Sequence, residues 1–165
     1  MRYVMRQKVL SLAASFIIKD ENGGEAFYVK GEAFRLGNKL SLQDTRGKEL
    51  VHIDQRRLTW TPTYDLWRDG GLLAVVERPR FSFGRRFTIS LRGSDDLEAN
   101  GNFLDHRYIF TRGDQAVAIL TRRWLAFTAT CWIEINAGED QTLVLASMVV
   151  VELVCRQRRT TLTVT

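Results

Sequence analysis

Six stretches of turn chemistry punctuate this chain at intervals of 20 to 25 residues. They are Asp20-Glu21-Asn22-Gly23, Asp44-Thr45-Arg46-Gly47, Arg68-Asp69-Gly70-Gly71, Arg92-Gly93-Ser94, Arg112-Gly113-Asp114 and Asn136-Ala137-Gly138. Asp, Asn and Gly tolerate the positive φ angles of tight hairpins, so each stretch has a physical reason to reverse the chain. Between them the apolar residues alternate: Phe16 and Ile18 before the first turn, Phe27 and Val29 after it, then Leu40 and Leu42, and Val51 and Ile53. Tyr108 and Phe110, and then Val117 and Ile119, repeat the pattern around the fifth. A period of two is the mark of half-buried strands. Hairpin signals with about ten residues per arm predict a mainly β antiparallel meander, hence a barrel or a sandwich. Closing the sheet on itself would remove its exposed edges.

The chain also repeats itself. LTWTPTYDL at Leu58 to Leu66 has an echo 67 positions later in LAFTATCWI, Leu125 to Ile133. Gly31-Glu32-Ala33-Phe34 has a counterpart in Gly101-Asn102-Phe103-Leu104. Two similar halves account for both pairs. On a strand, Leu58, Trp60, Pro62, Tyr64 and Leu66 share one face, as do Leu125, Phe127, Ala129, Cys131 and Ile133. Thr61, Thr63, Thr128 and Thr130 then face solvent, where threonine is a favoured strand residue.

Length and composition fit one ordered domain. A chain of 165 residues buries about 70% of its unfolded surface, and 45% hydrophobic against 26% charged residues excludes a disordered class. The formal charge is +5, but Arg156, Arg158 and Arg159 lie in a short tail with no acid, so the body carries only +2. That weak balance argues against nucleic acid as a partner. Cys131 and Cys155 form no CxxC pair and no zinc spacing, which suits buried free thiols in a reducing cytoplasm. Arg2, Arg6 and Lys8 interrupt any signal-peptide core in MRYVMRQKVLSL.

One segment abandons the period. From Thr142 to Val154 nearly every position is apolar, with Ser147 and Glu152 as exceptions. Its β-branched residues suit a buried strand. Its length, and Asp140 as a cap, suit a helix apolar on all sides, which must then be buried. As a helix, Leu143 to Val154 would reach about 18 Å, short of the roughly 30 Å of bilayer hydrocarbon, so no transmembrane segment is expected.

MRYVMRQKVLSL, FIIKDENG (Phe16 to Gly23), LTWTPTYDL, FLDHRYIF (Phe103 to Phe110) and GEDQTLVLASMVVVELV (Gly138 to Val154), in that order, resemble the LURP-one-related family. That family is kin to the tubby C-terminal domain and to the phospholipid scramblases. The resemblance covers Met1 to about Val154. It implies a closed twelve-stranded antiparallel barrel of two similar halves, with a hydrophobic C-terminal helix near residues 142–154 through its centre. The single tubby-like domain would then span residues 1–155, and residues 156–165 would form a basic mobile or strand-prone tail matching nothing in the family. Two further departures are Thr128-Ala129-Thr130-Cys131-Trp132, where relatives tend to repeat Thr-x-Thr-Tyr, and the arginine-rich stretch Arg78 to Arg86.

No catalytic constellation emerges. His52 and His106 read as solvent-facing, and Asp105 and His106 point to opposite faces of a strand. There is no G-x-S-x-G elbow, P-loop or dinucleotide fingerprint. The clusters Asp95-Asp96-Leu97-Glu98 and Glu139-Asp140 lack the ordered spacing of a calcium loop. The expectation is a non-enzymatic cytoplasmic protein, peripheral to membranes, with no metal or cofactor. Arginine forks suit phosphate, and the pairs near strand ends make Arg78, Arg80, Arg85, Arg86, Arg122 and Arg123 the candidate headgroup ligands, with Arg56-Arg57 nearby and Phe81, Phe83 and Phe87 interleaved. The likeness to tubby implies phosphoinositide binding. Tubby's lipid contacts do not match position by position here, so none is carried over. The expected partner is therefore an anionic phospholipid or membrane surface. A protein-interaction scaffold, self-associating through strand edges or Thr160 to Thr165, is the alternative.

Overall fold

The evenly spaced turns all lie at one end of a barrel. A computed structural model describes residues 1–8, 15–32, 38–80, 85–102, 106–125 and 128–163. The first half contains β1 (Arg2–Gln7), β2 (Ser15–Asp20), β3 (Glu25–Gly31), β4 (Lys39–Gln43), β5 (Glu49–Gln55) and β6 (Thr63–Arg68). The second contains β7 (Gly71–Glu77), β8 (Arg85–Leu91), β9 (Leu97–Asn102), β10 (Arg107–Arg112), β11 (Gln115–Leu125) and β12 (Thr128–Ile135), followed by the helix α1 (Gln141–Thr163). Every strand pairs antiparallel with its sequence neighbours, and β1 pairs with β12 to close the ring. The meander is thus a barrel rather than a sandwich, and no described strand is left as an open edge.

Five of the six turn signals are hairpins, joining β2 to β3, β4 to β5, β6 to β7, β8 to β9 and β10 to β11. Their chemistry is explicit. Asp20 Oδ1 accepts the N–H groups of Asn22 and Gly24, both at 2.9 Å, and Asp44 Oδ1 accepts those of Arg46 and Lys48 at the same distance. Asp69 and Gly70 both take positive φ, 49° and 77°, as the two-residue hairpin between β6 and β7 requires. The sixth signal, Asn136-Ala137-Gly138, is not a hairpin. It turns the chain from β12 into the lumen.

The two echoes fall where a six-strand repeat puts them. Leu58 to Leu66 leads into β6 and Leu125 to Ile133 into β12, the last strand of each half; Gly31 ends β3 and Gly101 lies at the end of β9. The faces within the first echo differ from the expectation. Only residues from Thr63 onward are strand, and there Thr63, Tyr64 and Leu66 are all buried. Leu58 and Trp60 lie in a loop and are exposed, because Pro62 has no N–H for a ladder and ends the strand pattern. In the second echo Cys131 and Ile133 do share the inner face, but Thr130 is buried rather than solvent-facing. The side chains of Leu125, Thr128 and Ala129, and all of Phe127, lie outside the described residues. In β11 a register shift opposite Phe110 and Thr111 changes the phase: Val117, Ala118 and Leu120 are buried and Ile119 is not.

A twelve-strand barrel leaves a bore too wide for side chains alone to fill. Here α1 fills it. From Leu143 to Val154 no residue is more than 5% exposed. Ser147, buried among them, donates its hydroxyl to the Leu143 carbonyl at 2.9 Å. Among the described residues no helix is long and apolar enough to cross a membrane. The helix is longer than the apolar run: residues 156–163, expected as a tail, continue it. Propagating an established helix needs only one more hydrogen bond per residue, and Arg and Gln favour it. Val164 and Thr165 lie outside the described residues.

Strand side chains hold the start of the helix. Asp140 is its N-cap, accepting the Leu143 N–H at 3.1 Å, while its carboxylate takes two bonds from the Arg68 guanidinium at 2.7 and 2.9 Å. Tyr3 donates to Gln141 Oε1 at 2.5 Å, and Arg112 to Glu139 at 2.8 Å. Partial burial opposes the Asp140 charge, but the Arg68 bonds and the Leu143 N–H outweigh it and hold the carboxyl below its usual 3.8. A depressed carboxyl stabilises the fold above its unfolded pKa, and the contribution is lost as pH falls through the folded value. Asp140→Asn keeps a capping oxygen but loses the ion pair, so it should melt below wild type at pH 7. That Tm gap should close as pH falls below about 3.8, and thermal melts across pH measure it.

Candidate functional site at the long-loop end

Antiparallel connectivity gives the barrel two unlike ends. The hairpins and the turn into α1 form one. The other carries the connections after β1, β3, β5, β7, β9 and β11, beside the C-terminal half of α1. Charge separates them as well. The segments at the hairpin end (21–24, 44–48, 69–70, 92–96, 113–114, 136–140) hold eight acids against three bases, a formal net of −5, of which Arg68 and Arg112 at the adjoining strand ends offset two by pairing with Asp140 and Glu139. The described residues of the opposite connections hold Lys8, Arg56, Arg57, Arg78 and Arg80 against Glu32, a net of +4. The mild overall charge conceals this polarity.

The β5–β6 loop, residues 56–62, projects furthest in chemical character. Its root is pinned: the Arg56 N–H donates to the Thr63 carbonyl at 2.9 Å, and the Arg56 guanidinium grips the Asp65 carboxylate with Nε 2.9 Å from both oxygens. Asn38 braces the same root, donating from its backbone and side chain to Gln55 Oε1 at 3.1 and 2.9 Å. Beyond the root, residues 55–62 line a groove of about 400 Å³. Leu58 is fully exposed and Trp60 88% exposed; no other large apolar side chain among the described residues exceeds 42%. Leaving such side chains in water forgoes about 1.5–3 kcal/mol each. Leu58 also adopts a φ of 57°, a region that costs a branched residue energy.

The β7–β8 connection joins this loop. The Arg78 N–H donates to the Pro62 carbonyl at 3.4 Å, and the Arg80 guanidinium lies 5.0 Å over the Trp60 ring. Of the six arginines singled out from sequence, Arg78 and Arg80 therefore meet the loop, together with Arg57. Arg86 is exposed one strand away and forms an ion pair with Glu98. Arg123 is exposed on β11, its guanidinium 5.6 Å over Trp132, away from this cluster. Arg85 shares the inward phase of Phe87 and Ile89 and is half-buried. Phe81 and Phe83 lie outside the described residues; Phe87 is in the core.

Arg122 departs most from the expectation. It points into the lumen, is 5% exposed, and donates through Nε at 2.8 Å to Glu152 of the helix, with a second bond from its terminal nitrogen to the same oxygen. Glu152, fully buried, also takes Arg156 Nε at 2.5 Å and lies 3.6 Å from the Cys131 sulfur. Burial works against the Arg122 charge, yet the Glu152 carboxylate more than compensates and its pKa is raised. Burial, then the Glu152 charge, pushes the Cys131 thiol up, so it stays protonated and unreactive. Burial, then Cys155, pushes up the Tyr108 phenol, whose oxygen is 3.0 Å from the Cys155 sulfur. Arg122 cannot serve an outer surface, because an acid buried on the helix needs a buried cation.

Sequence reading missed Leu58 and Trp60, placing them on a strand face; Pro62 was the available signal. It also missed the pairing of Arg122 with Glu152, although a single acid in an otherwise apolar run requires a partner. Neither histidine is freely solvent-facing. His52 is half-buried with Nδ1 3.4 Å from Glu49, and His106 is half-buried with an Nδ1 that has no hydrogen-bond partner among the described residues. Asp105 lies outside the described residues. No group of three or more His, Cys, Asp or Glu that could hold a metal occurs among the described residues.

A closed twelve-strand barrel plugged by a C-terminal helix, with a basic loop end, defines a class that the comparisons resolve. The LURP-one-related sequence profile matches residues 1–152. The chain belongs to the LURP-one-related family. An uncharacterised protein of Bacillus subtilis (strain 168), YxjI, is 28% identical over 151 residues, covering 91% of each chain. A solved structure of an Arabidopsis thaliana protein shares the fold at a TM-score of 0.64 and 20% identity, covering 92% of this chain and 90% of that one.

Two substitutions probe the lumen. Glu152→Ala leaves Arg122 buried without a counter-charge and should cost about 3–5 kcal/mol in denaturant unfolding, with Arg122→Leu/Glu152→Leu recovering much of the loss. Gly101→Ala would put a methyl 2.5 Å from the Tyr108 ring and 2.8 Å from Arg85 Cβ. It should cost about 1–3 kcal/mol by the same measurement.

Proposed function

We propose that this barrel is a non-enzymatic binding module for anionic phospholipid headgroups, used at a membrane surface through its long-loop end. The observation that carries this reading is the charge polarity: connections of net +4 at one end and −5 at the other. Such a molecule approaches an anionic bilayer loop-end first, since that surface attracts each nearby Arg or Lys by about 1 kcal/mol. Within the basic end, Arg57, Arg78 and Arg80 gather on adjoining loops, and guanidinium forks match phosphate oxygens. Arg56 supports them by fixing the loop root to Asp65. Arg122 has no part in this role. Self-association through strand edges, one route for the scaffold alternative, finds no open edge among the described strands.

The expected outcome is co-flotation with phosphatidylcholine liposomes only when they contain phosphatidylserine or a phosphatidylinositol phosphate, with binding falling as salt rises. Arg57→Ala/Arg80→Ala together should weaken binding roughly 20- to 30-fold at low salt. Equal flotation with neutral and anionic liposomes, or none with either, would falsify the reading.

A further inference from the structure

We infer that the tip of the β5–β6 loop is a membrane-inserting wedge: Leu58 and Trp60 enter the acyl boundary of an anionic bilayer while the surrounding arginines hold its headgroups. This rests on the headgroup reading above and adds the apolar half of the contact, the orientation of the barrel and the residues that penetrate.

Three features of the loop carry it. Leu58 and Trp60 are the most exposed large apolar side chains among the described residues, two positions apart on one seven-residue connection. A soluble fold rarely leaves its largest apolar groups so fully in water without a use for them. The backbone is arranged for it. The root is locked by Arg56, Thr63 and Asp65, while Leu58 is held at a φ of 57°, which glycine would take without strain. Finally, the surroundings select the occupant. Arg57 precedes Leu58 in the loop, and the Arg80 guanidinium lies over the Trp60 ring. Leucine and tryptophan flanked by arginine match the depth profile of a bilayer interface. Tryptophan resides at headgroup level, leucine reaches the acyl chains, and arginine stays with phosphate. An anionic bilayer offers both an apolar layer for Leu58 and Trp60 and a charge opposite to the net +4 of the surrounding connections, whereas a purely polar partner would leave both side chains unused.

The test uses the full chain and phosphatidylcholine–phosphatidylserine vesicles whose acyl chains are brominated. On binding, tryptophan emission should shift to the blue and be quenched, and Trp60→Phe should remove that change while Trp67, Trp124 and Trp132 remain. Leu58→Ser/Trp60→Ser should weaken partitioning by about tenfold or more. It should also abolish the residual binding that wild type keeps when high salt screens the arginines. Leu58→Gly should melt no lower than wild type yet bind less, a divergence that misfolding could not produce. Salt-sensitive binding that is indifferent to these substitutions, with no change in Trp60 emission, would overturn the wedge and leave the headgroup reading intact. Absence of binding to any vesicle would overturn both. So would a self-association in light scattering that vesicles do not displace and Trp60→Ser removes, because it would assign the tip to a second copy of this chain.

Discussion

The bore of the barrel is the constraint from which the rest follows. Twelve strands close only around a space wider than their own side chains fill, and an empty apolar bore would forfeit both dispersion contacts and buried area. The chain fills it with a helix that is apolar on every side, so that Leu143 to Val154 meet strands in all directions. An isolated helix of this composition would have no surface to offer water. Inside the ring it needs none.

Filling a bore with a helix creates polar obligations at the two ends, and the structure meets each with an arginine. Where the helix begins, Arg68 on β6 holds Asp140, which caps the first turn. Further along, Arg122 on β11 reaches inward to Glu152. These contacts set the axial position of the helix: sliding it by one turn would take Glu152 from Arg122 and Asp140 from Arg68 together. A buried ion pair adds little net stability, but it is costly to mismatch, so it acts on register more than on strength.

The same topology explains the polarity of the surface. Hairpins need Asp, Asn and Gly, so the hairpin end gathers acids through the chemistry of turning. The connections at the other end are free of that demand in most cases and can carry other residues, here arginines and the exposed Leu58 and Trp60. The division of labour follows from which end the chain turns tightly.

Much of this was legible in the residues themselves. The turn cadence, the alternation of Phe16, Ile18, Leu40, Leu42, Val51 and Ile53, and the two echoes specify antiparallel strands in two halves, because local φ preferences and one-sided burial act over a few neighbouring positions. Turning to Arg122 and Arg80 shows the limit. Both are arginines near strand ends, and nothing local separates one that plugs a buried charge from one that lies over Trp60. Leu58 and Trp60 likewise read as inward strand residues, since alternation cannot report that a strand has not yet begun. Thus the sequence by itself determined the class of strands, their turns and the need to bury residues 142–154. Only the tertiary structure decided which side chains face the bore, which arginine of the strands answers Glu152 and which end gathers the basic loops. Those outcomes depend on contacts between residues tens of positions apart, and on a bulge in β11 that resets the faces, for which periodicity carries no signal.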